Sequence, residues 1–364
     1  MHRLDPMTNP ALVLPAAGPV KRWLGRQASP AWSVLALLLV LPVAGMSLFR
    51  AVPTEWPLVV VQLLSFTPWM VLPSALAMVL ALVGRRLWVI ITTAALLALQ
   101  LFWLFPLDTG RAQAVPAGTA TVSLKVMSLN NEYGEADASA IVKLVRENGV
   151  QLLTLQEHTQ GLEDRLRSEG LESILPNLVT EPNDDASGGA VYSVFPLQPE
   201  GLLPDTPFRM DVTRVLITDP GSVTDPGKGS KATLNLTNVH ALPPVDERIQ
   251  QWRSDLVQVA RQASRPGHHL LMGDYNSTYD HSEFRALLDP ALGGGQDGKK
   301  LVDVGTASGG RFSPTWPMEG PPLPGIVIDH MVTSPRIGSS GYAVHPVSGS
   351  DHAAIVATLV IPIS

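Results

Sequence analysis

His269-Leu270-Leu271-Met272-Gly273-Asp274-Tyr275-Asn276 is the stretch on which the reading of this chain turns. The short run through Met272 has the pattern of a buried strand, and it leads straight into Gly-Asp-x-Asn. Glycine lets the backbone approach a ligand closely, and the two short polar side chains beyond it can point at one phosphate. The same three residue types also make plain turns. Five further short motifs, in fixed order, favour a site: Leu129-Asn130, Leu155-Gln156-Glu157, Asn238-Val239-His240, Ile328-Asp329-His330 and Ser350-Asp351-His352. Most sit at or just past the ends of hydrophobic runs, where a sheet scaffold presents catalytic groups.

The intervening sequence predicts the elements that carry them. Val122, Leu124 and Val126 alternate with Ser123 and Lys125, the period of a half-buried strand that delivers Asn130 at its end. Ala138, Ile141, Leu144 and Val145 follow helical spacing, with Asp137 as N-cap and Asn148-Gly149 as the stop. Val150 to Leu155 reads as a strand with Glu157 just beyond it. Ala232, Leu234 and Leu236 alternate with Thr233, Asn235 and Thr237 and lead to His240. Ile249, Trp252, Leu256 and Val259 make one helical face, and Ile326 to Val332 and Ala354 to Ile361 are the last two strands. Strands alternating with a few helices predict an α+β fold, two sheets covered by helices.

The N-terminal part is a different kind of sequence. Ala31–Phe49, Leu58–Val83 and Leu87–Leu107 are uncharged runs of 19, 26 and 21 residues, against the ~20 needed to cross a bilayer as a helix. They lack the polar stripe of a buried soluble helix, so three transmembrane helices are expected over 31–107, the second kinked at Pro68 and Pro73. The first run, preceded by Lys21, Arg22 and Arg26, also has the form of a signal peptide. Basic residues cluster in the 1–30 leader and at Arg85-Arg86, while the loop after the first run has only Arg50 beside Glu55. The positive-inside rule then makes the leader and the Arg85-Arg86 turn cytoplasmic and leaves the C-terminal domain, 121–364, extracytoplasmic at the plasma membrane. Trp56, Trp88 and Trp103 suit an interfacial aromatic belt. Residues 108–120, with Gly110, Pro116 and Gly118, read as a linker.

Charge and cysteine usage narrow the chemistry. From Ala112 onward there are 18 Lys and Arg against 29 Asp and Glu, a net of −11, whereas the first 111 residues carry +5. A protein that grips a long phosphate backbone displays a basic stripe, so nucleic acid is disfavoured as the substrate. With no cysteine in the chain, neither a disulfide framework nor a thiolate-metal site exists.

The motif set and its order, from Thr121 to Ser364, resemble the endonuclease/exonuclease/phosphatase superfamily of metal-dependent phosphoesterases. The resemblance implies a four-layer α/β/β/α sandwich of two mixed sheets and extends to Gly188–Phe195, which is similar to the family's strand ending in Ser-x-x-Pro, here Ser193 to Pro196. It implies Glu157 as metal ligand with Asn130 beside it, and Asp351 facing the metal directly or through water. Asp274 and Asn276 are implied to contact the nucleophile and scissile phosphate, His352 with Asp329 to form the base pair, and His240 to donate to phosphate or leaving group. A site rich in carboxylate and amide oxygen and free of thiolate calls for Mg²⁺ or Mn²⁺. Asn130 is followed by Asn131, where the family usually has an apolar residue, so the motif can also be read one residue later. His240 has no evident carboxylate partner, Asp184 and Asp185 being the nearest candidates in sequence, and His158 is at most an outer neighbour of the site.

Three apolar helices ahead of this domain resemble bacterial membrane-bound members, including the teicoplanin-resistance proteins implied to act on undecaprenyl-linked phosphates. The expected partners are therefore the lipid bilayer and a lipid-linked phosphate, with no protein partner. The alternatives are an extracellular nuclease, a sphingomyelinase-like phospholipase C and a catalytically dead scaffold domain. The last is disfavoured because the motif carboxylates and histidines are all present.

Overall fold

The computed structural model describes residues 29–107, 109, 118–218, 231–320 and 324–363. The basic leader residues and most of the 108–120 linker lie outside the described residues. The chain divides into two compact units, one of Met1–Ala44 with Val71–Gln100, the other of Gly45–Met70 with Leu101–Ser364.

Three helical stretches are long and apolar enough to cross a membrane: Pro30–Ala51 (α1), Thr67–Gly84 and Leu87–Leu104. In the first unit small residues let the helices approach closely. Ala36, Ala81 and Val89 are buried together, and a Cβ on Gly84 would come within 2.9 Å of the Ser33 backbone nitrogen. The second apolar run, expected as one kinked span from Leu58 to Val83, is divided. Leu58–Leu64 forms a short helix (α2), a 3₁₀ turn follows at Thr67–Met70, and Val71–Gly84 (α3) continues to the last apolar helix (α4, Leu87–Leu104). Pro68 lies in that turn, while Pro73 sits in the first turn of α3, where its missing N–H is no loss.

The second unit is a sandwich of two six-stranded mixed sheets. The first has the order β11-β12-β1-β2-β4-β3, with β1 Thr121–Asn130, β2 Leu152–Gln156, β3 Asn177–Glu181, β4 Gly189–Ser193, β11 Gly338–Pro346 and β12 Ala353–Pro362. The second runs β5-β6-β7-β8-β10-β9, with β5 Leu197–Leu202, β6 Asp211–Thr218, β7 Lys231–His240, β8 His268–Asp274, β9 Val302–Asp303 and β10 Asp329–Thr333. Each sheet has one parallel pair at its centre, β1 with β2 and β7 with β8, and antiparallel pairs around it. The two crossovers are α5 (Ala138–Asn148) and α8 (Ile249–Ala263), with α6 (Gln160–Ser168), the single turn α7 (Leu171–Ile174) and α9 (Ser282–Leu288) completing the outer layers.

Local chemistry sets these boundaries. Asp137 caps α5 by accepting from the Ser139 N–H, and Gly149 ends it in the left-handed region at φ 62°. Trp252, Leu256 and Val259 turn the apolar face of α8 onto the second sheet. The expected strand from Ile326 starts later, at Asp329, because Ile326 instead bridges Trp316. The main core lies between the sheets, with Leu124, Leu152, Leu234, Met272 and Ile355 fully enclosed.

One part of the second core comes from far away in sequence. Val61 of α2 is buried, and Trp56 half-buried, in the cluster of Trp252, Leu256 and Phe284 under the second sheet.

Candidate active site

Parallel strand pairs deliver their C-terminal ends together, and both pairs here end in polar residues at the same rim of the sandwich. Asn130 lies beside Gln156 in the first sheet, and His240 beside Asp274 in the second. The antiparallel β10 begins at the same rim, with Asp329 opposite Asp274. His352 immediately precedes β12.

Gly273 is required where β8 passes β7. Its φ is +147°, and a Cβ there would lie 2.0 Å from the Val239 carbonyl oxygen. Just beyond it Asn276 is left-handed at φ +46°, and its N–H donates to Asp274 Oδ1 at 2.7 Å. The Asn276 amide also donates to Ala241 O at 2.9 Å and Asp274 Oδ2 at 3.1 Å. Glu157 has φ +53°, which swings its carboxylate out of the line of β2, and Glu132 and Tyr133 are left-handed too. Four strained non-glycine residues around one cleft mark a surrounding structure that over-determines them.

Asn130 links the two halves. Its Nδ2 donates to Glu157 Oε1 at 3.1 Å and to Asp274 Oδ2 at 3.2 Å, while its Oδ1 accepts from the Glu132 N–H at 3.0 Å. Asn131 points elsewhere, to the Gln156 carbonyl, so of the two asparagines it is Asn130 that contacts Glu157 and Asp274. Glu157 Oε2 accepts from the Tyr133 N–H at 2.8 Å. Burial raises the Glu157 carboxyl pKa although these hydrogen bonds act to lower it.

His352 Nδ1 lies 3.0 Å from Asp329 Oδ2, so the carboxylate fixes the tautomer and leaves Nε2 facing Asp274 and Asp351, each at 3.8 Å. Burial disfavours a charged ring, but Asp329 and Asp274 outweigh it and push the imidazole up to about 10. Asp274 is pushed up to about 7, by burial first, with His352 pulling the other way. His240 Nε2 sits 3.6 Å from Glu157 and 3.9 Å from Asp274. Burial and then the His352 charge push its ring down to about 3, so it is neutral at pH 7. Phe208 stacks on it at 4.3 Å.

The structure thus brings together Asn130, Glu157, His240, Asp274, Asn276, Asp329 and His352. Asp351 flanks them with Oδ2 turned to the Trp316 indole at 2.7 Å. Among the described residues no three His, Asp or Glu side chains close on one point. The carboxylates nearest His240 are Glu157 and Asp274; Asp184 and Asp185 are exposed, and Asp185 instead accepts from the Ser187 N–H. His158 is turned away, 3.6 Å from Glu163 and edge-on to Tyr192.

Several contributors escaped sequence reasoning. Glu132 accepts from the Asp351 N–H at 2.6 Å, Trp316 holds the Asp351 carboxylate, and Phe208 backs His240. Beneath the site a buried polar chain crosses between the sheets. Gln156 Nε2 donates to Asn238 Oδ1 at 2.6 Å and to Ser128 Oγ at 3.2 Å, and Asn238 donates to Asp211 at 3.3 Å. Gln156 and Asn238 stand inside two of the motifs and Glu132 lies two residues after Asn130, whereas Phe208 and Trp316 lie near none.

The model of the endonuclease/exonuclease/phosphatase family matches residues 127–352. No curated protein matches the chain. Among solved structures, a humanized D. rerio TDP2 carrying 14 mutations is similar at 15% identity and a TM-score of 0.48, over 65% of this chain and 98% of that one. An endonuclease/exonuclease/phosphatase from Beutenbergia cavernae gives 17% and 0.46, over 66% and 72%. An AP endonuclease from Archaeoglobus fulgidus gives 13% and 0.48, over 64% and 98%. The chain belongs to the endonuclease/exonuclease/phosphatase family.

Proposed function

We propose that this endonuclease/exonuclease/phosphatase family member is a membrane-anchored, divalent-metal-dependent phosphoesterase that hydrolyses phosphate esters or pyrophosphates of lipid-linked substrates at the outer face of the membrane. The observation that carries the chemistry is the convergence of Glu157, Asp274, His240 and the Asp329–His352 pair at one rim, each with a neighbour in this set within 4 Å.

The donor chemistry fits Mg²⁺ or Mn²⁺. Glu157, Asp274, Asp329 and Asp351 crowd four carboxylates around one charged and one neutral imidazole, and burial raises Glu157 and Asp274. Such an excess of hard anionic oxygen suits a divalent cation. Glu157 would hold it, with Asp351 and the Asn130 carboxamide beside it. A bound ion there polarises a phosphoryl oxygen as a Lewis acid.

The remaining chemistry belongs to the side chains. Asn276 and Asn130 hold the Asp274 carboxylate by N–H donation, so its oxygens face the reacting atoms in one orientation. Asp329 holds His352 so that Nε2 can exchange a proton with water or the leaving group. Neutralising the charges of Asp274 and Asp351 withdraws two of the influences that keep this ring protonated. The neutral His240 can donate one hydrogen bond to a phosphoryl or leaving-group oxygen.

Three observations support a lipid-borne substrate. The domain after Ala112 carries −11, three helices are apolar enough to cross a membrane, and Gly45–Met70 and the catalytic domain form one compact unit. That last pairing agrees with three crossings, which leave the loop after α1 and the C-terminal domain on the same side. The deciding experiment measures kcat/KM for a polyprenyl pyrophosphate in micelles and for duplex DNA, each at two salt concentrations. Faster turnover of the lipid, with slow DNA cleavage lacking a steep salt dependence, is expected. Fast, strongly salt-sensitive DNA cleavage without lipid-phosphate activity would make the protein a surface nuclease.

A further inference from the structure

We infer that the segment between the first two apolar helices is a working part of the catalytic site, in which α2, acting through His281, holds the turn that carries Asp274 and Asn276. The inference rests on the reading of that turn as phosphate-facing.

The turn and its anchor are one short stretch, Asp274-Tyr275-Asn276-Ser277-Thr278-Tyr279-Asp280-His281. At its near end Asn276 is held left-handed against Asp274 and Ala241. At its far end the buried His281 receives the Thr278 N–H on Nδ1 at 2.8 Å. A backbone N–H can only donate, so Nδ1 is the acceptor and the ring proton sits on Nε2. That proton has one close acceptor, the Val61 carbonyl at 2.8 Å, with Ser65 Oγ at 3.5 Å. Burial lowers the pKa of the ring, in keeping with this single neutral tautomer.

The helix needs the bond as much as the histidine does. The last four carbonyls of a helix have no partner within it. In α2 the Gln62 and Leu63 carbonyls accept from the Ser65 and Phe66 N–H groups, and Leu64 O accepts from Thr67 Oγ1. Val61 O is satisfied by His281, across 220 residues of sequence.

Asp280 is the second anchor. Its buried carboxylate accepts from Arg50 Nε at 2.7 Å and from Arg311, and Arg285 donates to both the Asp280 and Arg50 carbonyls. Arg311 also donates to the Trp103 carbonyl at the end of α4. From the other side His330, next to catalytic Asp329, meets Ser277 O at 2.9 Å. A strained turn persists only when its surroundings over-determine it, and here Arg50, Val61 and Ser65 supply part of those surroundings.

The test uses the full chain in detergent. His281→Asn keeps an acceptor for the Thr278 N–H but cannot reach Val61, whereas His281→Gln keeps a donor toward Val61. Hydrolysis of bis(4-nitrophenyl) phosphate with Mg²⁺ and deuterium uptake over 274–281 are measured for both, and for Arg50→Gln, which leaves His281 intact. For His281→Asn the inference expects kcat down about 10- to 100-fold, KM within about twofold, and raised uptake, because small misplacements of reacting groups cost rate rather than binding. His281→Gln should recover part of the loss, and Arg50→Gln should move both readouts in the same direction. Wild-type kcat and uptake in His281→Asn and Arg50→Gln would overturn the inference. Raised uptake in both, with no hydrolysis by the unsubstituted chain, supports the positioning role and overturns the phosphoesterase reading instead.

Discussion

Removing the Asp329 carboxylate is the most informative single perturbation of the site. Asp329 Oδ2 and His352 Nδ1 are 3.0 Å apart and both side chains are buried. Charge centres about 4 Å apart at an effective dielectric of about 20 interact by about 4 kcal/mol, and about 1.4 kcal/mol corresponds to one decade in rate. Asp329→Asn should therefore lower kcat by about three decades, through loss of the charge and of the enforced tautomer. His352→Ala should cost at least as much, since it removes the nitrogen proposed to transfer the proton. Groups acting as a unit are grossly non-additive, so the double variant should turn over within about threefold of His352→Ala alone. The assay is kcat under saturating substrate and Mg²⁺ for the four proteins, with melting temperatures to confirm that each is folded. Losses that multiply, giving about six decades in the double variant, would refute the dyad.

Other consequences are as open to measurement. Glu157→Gln should abolish Mg²⁺-dependent hydrolysis while the melting temperature stays near the parent's; unchanged turnover and Mg²⁺ dependence would remove Glu157 from the site. Burial pushes the Asp211 carboxyl up from 3.8 to about 6, so its neutral form is the stable one in the fold and the parent loses stability as pH rises through that window. Asp211→Asn cannot ionise. Relative to the parent it should gain up to about 3 kcal/mol between pH 4 and pH 7, read from chemical denaturation at both, and a relative loss would reverse the assignment. Single cysteines at the exposed Thr54 and Ser340 of this cysteine-free chain should both react with an impermeant maleimide on intact cells. Labelling of only one, or of either only after lysis, contradicts the three-crossing topology.

Period and punctuation made most of the second unit legible in the sequence. Strand alternation located β1 and β7, the Asp137 and Asn148-Gly149 signals bounded α5, and the apolar run into Gly273 placed Asp274 at a strand end. Those cues are local, and so were the motifs they position. Contacts without a local cue went unread. The stack on His240 and the bond to Asp351 come from Phe208 and Trp316, whose neighbours in sequence carry no motif. The role of α2 was hidden for a different reason: Leu58–Leu64 is as apolar as the span that follows it, and hydropathy does not distinguish burial against a protein core from burial in lipid.

The carboxamide contact between Gln156 and Asn238 works as a calliper. Gln156 precedes Glu157, and Asn238 stands two residues before His240, so the 2.6 Å bond between them fixes the width of the cleft between its carboxylate jaw and its imidazole jaw. Neither sheet sets that width alone. A slip of one residue in β2 or β7 would turn the amide to the opposite face and open the jaws, so the gauge that sizes the cleft also proofreads the register of both sheets.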